Sequence, residues 1–166
     1  METTARKTTR RARIAASAGI AVLAILGVSQ SARAGMIEIE REVYHQINDI
    51  RVANGLNPVI YNEDLAPAAR WHSQDQARRR CIAHIDSLGR NAGDRLDDNR
   101  VPWLRYGENV GYVWGYDDPC TTVVKAWLAS PGHAANLLDP RLVESAVGVA
   151  QSADGTYYLT QVFVTR

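Results

Sequence analysis

Apolar and polar positions alternate along this chain with two different periods. Ile39, Val43, Ile47 and Ile50 recur at helical spacing with Glu38, Arg41, Glu42 and Asp49 between them, and Asn54-Gly55 stops the pattern. A second helix is expected from Asn62, whose side chain can cap it, with Glu63 and Asp64 at the positive end of its dipole. It runs through Leu65, Ala69 and His72 to Arg78-Arg79-Arg80, cations that suit a last helical turn. Residues 85–105 are polar and read as loop with one short helical turn. Residues 107–116 alternate, with Val110, Tyr112, Trp114 and Tyr116 on one side, and predict a strand. Asp118-Pro119 and Ser130-Pro131 each combine a cap with proline at the first helical position. The first of these helices turns Val124, Trp127 and Leu128 inward, and the second stops at Asp139-Pro140. Residues 145–151 and 156–164 form two strands joined around Ala153-Asp154-Gly155. Leu159 and Phe163 take one face of the last strand and Val162 and Val164 the other, so the sheet is covered on both sides. The expected fold is α+β, a three-layer α-β-α sandwich with a central antiparallel sheet.

The N-terminal segment follows a different logic. Arg6, Lys7, Arg10, Arg11 and Arg13 precede an almost continuous apolar run over residues 14–28, and Ala32-Arg33-Ala34 follows as an A-x-A site. That order predicts a secretory signal peptide over residues 1–34 and a mature domain over residues 35–166. The run is short of the ~20 residues a membrane span needs, so membrane attachment is expected only through an uncleaved signal segment. Arg10-Arg11 fits either a twin-arginine or a general export signal. The whole chain has a formal charge of +1, but its basic residues are concentrated in this segment, leaving the rest net acidic. A net acidic body excludes nucleic acid as the expected partner. Cys81 and Cys120 are the two cysteines of the chain, and in an oxidising compartment they are expected to pair. Such a bridge would contribute about 4 kcal/mol by chain entropy.

No G-x-S-x-G, H-E-x-x-H, Walker A or G-x-G-x-x-G pattern occurs. The unusual strings are Ala83-His84-x-Asp86-x-x-Gly89 with Arg95 after it, Tyr106-Gly107-Glu108-Asn109, and Ser130-Pro131-Gly132-His133 continuing to Leu138. With Asn48-x-x-Arg51, Leu65 to Ser73, Trp127, Val147-Gly148-Val149 and Tyr158-x-x-Gln161-x-Phe163, they form an ordered set over residues 37–164. This set resembles the CAP superfamily of cysteine-rich secretory proteins, antigen five and pathogenesis-related class one proteins, in its bacterial secreted branch. The resemblance implies a sandwich of CAP type with a central cleft, lined in the eukaryotic branch by two histidines and two acidic residues able to hold a divalent metal such as zinc. His84, Glu108 and His133 match three of those positions. The fourth matches Ser130, which brings no carboxylate.

His84, Glu108, Asn109, Ser130 and His133 are therefore the candidate cleft residues, with His84 and His133 the candidate metal ligands. Two readings of the cluster stand side by side. Two histidines and one carboxylate leave open positions on a zinc ion, while Glu108 can equally brace the loops by accepting backbone hydrogen bonds. His133, in the first turn of its helix, is expected to stay neutral against the positive helix end. His72 reads as a packed, hydrogen-bonded core histidine, His45 as structural or exposed, and Trp127 as core. Two functions follow. One is a secreted, non-catalytic binding module, monomeric, acting at the cell envelope or in the extracellular space on a small hydrophobic or wall-derived ligand. The other is a secreted metal-dependent hydrolase, with Glu108 as general base on a water held by His84 and His133.

Overall fold

A computed structural model describes residues 18–166, with side chains from residue 31. The basic segment and the start of the apolar run, residues 1–17, lie outside the described residues. Contacts divide the chain between Ala34 and Gly35, and the fold below is that of Gly35–Arg166. Helix α1 spans Ala18–Ala53 and so continues through the A-x-A site. Among the described residues, no helix is long and apolar enough to cross a membrane.

Within the folded unit α1 ends where Gly55 takes a left-handed φ of 73°. Val43 and Ile47 are fully buried, and Ile39 and Ile50 pack beside them. The remaining elements are β1 (Ile60–Tyr61), α2 (Ala66–Arg79), α3 (Ala92–Asp98), β2 (Arg105–Val113), α4 (Pro119–Ala129), α5 (Pro131–Leu137), β3 (Glu144–Gln151) and β4 (Tyr157–Thr165). The sheet order is β1-β3-β4-β2. The β3-β4-β2 part is antiparallel, as expected, but β1 adds a short parallel pairing through Ile60↔Glu144 and Tyr61↔Ser145, so the sheet is mixed. Two residues are too few for a period-2 signal.

Alternation on β4 separates the layers. Leu159 and Phe163 meet α1, α4 and α5 in one core with Val147, Val149 and Trp127. Val162 and Val164 meet Leu65, Ala69, Leu96 and Ala146 in the other, under α2 and α3. This is the three-layer sandwich. Gly148 sets the spacing on the α2 side, because a Cβ there would strike the backbone of Ala69 and Arg70. The helix lies directly on the strand. Ser73 and Gln76 of α2 then reach Thr160 Oγ1 at 2.9 and 3.0 Å, so this seam is polar and satisfied.

Several local expectations change. Asn62 does not cap α2; its Oδ1 accepts from the Asp64 amide at 2.9 Å, and the helix starts four residues later with Pro67 in its first turn. Leu128 is exposed and Val123 takes the inward position. Trp114 and Tyr116 fall beyond the end of β2.

The expected disulfide is not formed. Cys81 is exposed just past α2, on one side of the sheet, whereas Cys120 is buried in the first turn of α4 on the other, against Ile39. The sheet stands between them, and a disulfide needs Cα atoms within about 7 Å. Burial also raises the Cys120 thiol pKa to about 11. Alkylation of native protein is therefore expected to label Cys81 within the fast phase and Cys120 only on unfolding. Equal labelling, or none before reduction, would refute the separation.

Candidate functional site

Sequence places Glu108 and Asn109 side by side, and a strand sends neighbours to opposite faces. β2 is an edge strand of the sheet, so these two side chains straddle its open edge. A Cβ at Gly107, which precedes them, would crowd the Asn136 and Leu142 side chains, at 3.0 and 3.1 Å.

On the α2–α3 side, Glu108 is buried and both its oxygens are taken. Oε1 lies 2.9 Å from His84 Nδ1, and Oε2 accepts from the Arg95 guanidinium. Arg95 is 2% exposed and also donates to Arg90 O at 2.8 Å and His84 O at 3.3 Å, with Asp86 3.7 Å away. α3 delivers Arg95 because Asn91 and Asp94 form a reciprocal capping box at its start. Burial would raise the Asp86 carboxyl, but bonds from the Arg90 and Leu88 amides and the Arg90 side chain outweigh it and hold the pKa low.

The loop that carries His84 is clamped from α2. Gln76 Oε1 accepts from Ala83 N at 3.3 Å, and His72 Nε2 is 2.8 Å from Ala83 O. His72 is therefore the packed, hydrogen-bonded histidine expected, and burial lowers its pKa. His45 is exposed on α1. Trp127 is core, its Nε1 donating to Val110 O at 2.9 Å.

On the opposite side, Asn136 Nδ2 donates to Glu108 O at 3.0 Å and to Asn109 Oδ1 at 2.9 Å, and Asn109 Nδ2 donates to His133 O at 3.2 Å. These amides tie the first turn of α5 to the strand edge. Ser130 links α4 to α5 through backbone bonds alone, its N–H reaching Trp127 O and its carbonyl accepting from Ala134; its hydroxyl caps nothing. His133 has a lowered pKa, as expected, but through burial first and the nearby charge of His84 second rather than through a hydroxyl-capped helix end.

Bonding to Glu108 raises the His84 pKa despite partial burial. The sign of the linkage differs between the histidines. The His84–Glu108 pairing stabilises fully below the ordinary histidine value of 6.5 and is lost as pH rises through the raised folded value. For His72 and His133, with lowered values, stability is present above 6.5 and is lost as pH falls. NMR titration should rank His84 above both, and a reversed order would break this assignment of charges.

A divalent metal does not fit these residues. The carboxylate that would ligate it is already shared between an imidazole and a buried guanidinium, a fixed positive charge that repels a second cation. The fourth position is a hydroxyl, Ser130. Among the described residues no group of three or more His, Cys, Asp or Glu side chains converges as a metal site.

The geometry is that of a known family. A profile of the cysteine-rich secretory protein family, CAP, matches residues 44–163. The chain belongs to the CAP family. Among its relatives, YlbC of Bacillus subtilis, named an uncharacterized membrane protein, is 32% identical over 127 residues, which make 76% of this chain and 34% of YlbC. YkwD of the same organism is 30% identical over 165 residues, 98% of this chain and 62% of YkwD. The chain thus spans less than two thirds of either relative. An extracellular protein of Bacillus anthracis containing an SCP domain superposes with a TM-score of 0.67 at 25% identity, over 79% of this chain and 41% of that one. An outer surface protein of Borrelia burgdorferi gives 0.70 at 20% identity, over 78% and 93%, a likeness of fold.

Two residues of this CAP domain do work that the sequence did not announce. Arg51 is buried and donates to Leu137 O at 2.7 Å, Leu142 O at 3.1 Å and Asn57 O at 2.9 Å, so it holds the far end of α5. Asn48 bonds both the N–H and the C=O of Val59, at 2.8 and 3.1 Å, and aims the chain into β1. The N-x-x-R string at helical spacing is the available signal; two of Arg51's partners, Leu137 and Leu142, lie more than 80 residues away and cannot be read from it.

Proposed function

We propose that residues 35–166 are exported and act outside the cytoplasm as a binding module without turnover. The observation that carries this reading is the double engagement of Glu108. A general base must be free to take a proton from a reacting group. Glu108 instead neutralises Arg95 and His84, and no serine, cysteine or threonine nucleophile stands within hydrogen-bond reach of His84 or His133 among the described contacts. The cleft is a polar brace that presents His84 on one side of the strand edge and His133 on the other.

Export is supported by the basic, apolar and A-x-A order of residues 1–34 and by the extracellular and outer-surface descriptions of the two structural relatives. Membrane attachment is proposed only through an uncleaved signal segment. The ligand class is small and hydrophobic or wall-derived, the protein acts as a monomer, and nucleic acid is not a partner.

The test is export followed by assay. N-terminal sequencing of the secreted protein should begin at Gly35. Incubation with peptide, ester and wall substrates, with and without zinc or chelator, should release no product, and zinc should leave the melting temperature unchanged. Zinc-dependent product release that Glu108→Gln removes would establish the hydrolase instead.

A further inference from the structure

The aromatic residues that end β2 are left in the open. Tyr112 is 60% exposed and Trp114 65%. They are not scattered. Tyr112 pairs with Tyr158 across β2 and β4, the two rings 6.3 Å apart and tilted 32°, and Tyr158 is 6% exposed beneath. Together with Trp114, Arg80, Asp154 and Thr156 they line an open cleft of about 490 Å³. Four residues of strand, about 13 Å at the usual rise, separate Tyr112 from Glu108, so this cleft is distinct from the His84 site.

The lining specifies the chemistry of an occupant. The aromatic floor and wall offer flat apolar faces. Arg80 and Asp154 stand at the same cleft with opposite charges, so the rim rejects neither sign strongly and attracts neither. Asp154 is fixed by Ser152 Oγ at 2.6 Å and by the Thr156 amide at 3.2 Å, and those bonds lower its pKa to about 2. It is a standing acceptor, and Arg80 a standing donor. A pyranose ring answers both requirements, with an apolar C–H face and a rim of neutral hydroxyls that donate and accept. An anionic lipid surface answers them poorly, because docking would press the Asp154 carboxylate against phosphates and strip its water.

We propose that this cleft binds a neutral glycan chain, one sugar ring stacked on Trp114 and Tyr112 and its hydroxyls bonded to Arg80 and Asp154. The inference goes beyond the binding-module reading and stands on a different site. Turnover at the His84 cleft would overturn that reading alone, and loss of glycan binding would overturn this one alone.

The purified protein is titrated with the tetramer of N-acetylglucosamine, cellotetraose and maltotetraose, and separately with phosphatidylglycerol vesicles. At least one oligosaccharide should bind saturably, change tryptophan fluorescence and slow alkylation of Cys81, which also lines the cleft. Trp114→Ala, a substitution at an exposed side chain, should weaken binding about tenfold or more, while Leu104→Ala, exposed at the other end of β2, should not. The responding sugar distinguishes an amino-sugar wall polymer from a glucan. No saturable binding by any of the three, binding that survives Trp114→Ala, or vesicle binding in place of sugar binding would each overturn the proposal.

Discussion

Gly148→Ala is expected to lower the melting temperature by on the order of 10 °C or to prevent folding. The added methyl would lie 2.6 Å from Ala69 O and closer still to Ala69 C and Arg70 N. All three are backbone atoms of α2, so no side chain can swing aside. The helix must lift from β3 as a body, and Ser73 and Gln76 then lose Gly148 O and Thr160. Overpacking typically costs about 1–3 kcal/mol where side chains can adjust, and a rigid backbone neighbour puts this site at or above the top of that range. A domain of this size loses a few degrees per kcal/mol. Gly132→Ala is the matched control: nothing lies within 4 Å of its added methyl, and alanine is the better helix former. Thermal melts followed by circular dichroism decide the matter, and a Gly148→Ala protein melting within about 2 °C of the parent would show that α2 is not seated on the strand.

That close approach also explains what a sequence can and cannot convey. The period-2 pattern of β4 and the 3.6-residue pattern of α1 announce both cores, because burial of alternate or every third-to-fourth side chain is written locally. The sequence pattern starts α2 too early because Asn62 has two local uses for its side chain, a cap or an Asx turn, and only Pro67 and the tie to Glu144 select the second. The short β1 is invisible because its partner lies on β3, more than 80 residues away. The disulfide failed for a related reason. Two cysteines and an oxidising compartment argue for pairing, but which face of the sheet each element packs on is a property of topology, and α2 and α4 take opposite faces.

In the candidate site it is the wiring that the sequence conceals. His84, Glu108, Asn109 and His133 do gather at the edge of β2, through a clamped loop, a strand and a first helical turn. Glu108 offered two roles in sequence, ligand or brace, and only coordinates show both oxygens engaged. The decisive partner is Arg95. One arginine in a polar loop region carries no signal of burial, since guanidinium groups are almost always exposed unless paired. Its capping box, Asn91 with Asp94, was the one local clue that a rigid element would hold it.

Arg95→Met should therefore be among the most damaging single changes in the domain. Methionine matches much of the aliphatic stem, so the packing loss is small, and the charge is what is removed. The Glu108 side chain, 4% exposed, is left facing His84 alone, and three hydrogen bonds to Glu108, Arg90 O and His84 O disappear. Breaking one side of a buried ion pair costs about 3–5 kcal/mol, much of it the uncompensated charge. Glu108→Gln in the same chain should return part of that loss, with a coupling of about 1–3 kcal/mol in the double-mutant cycle. pH supplies a second readout. His84 has a raised pKa through Glu108, so below about 6.5 it is protonated and can stand in for the missing guanidinium, whereas above its folded value it cannot. The destabilisation by Arg95→Met should consequently be larger at pH 8 than at pH 5.5, and His84→Ala should erase that difference. Denaturant melts at both pH values of the four proteins of the cycle, and of His84→Ala with and without Arg95→Met, measure it. Additive losses in the cycle, or a destabilisation larger at the lower pH, would mean that Arg95 serves the loop through its carbonyl bonds and not through the charge of Glu108.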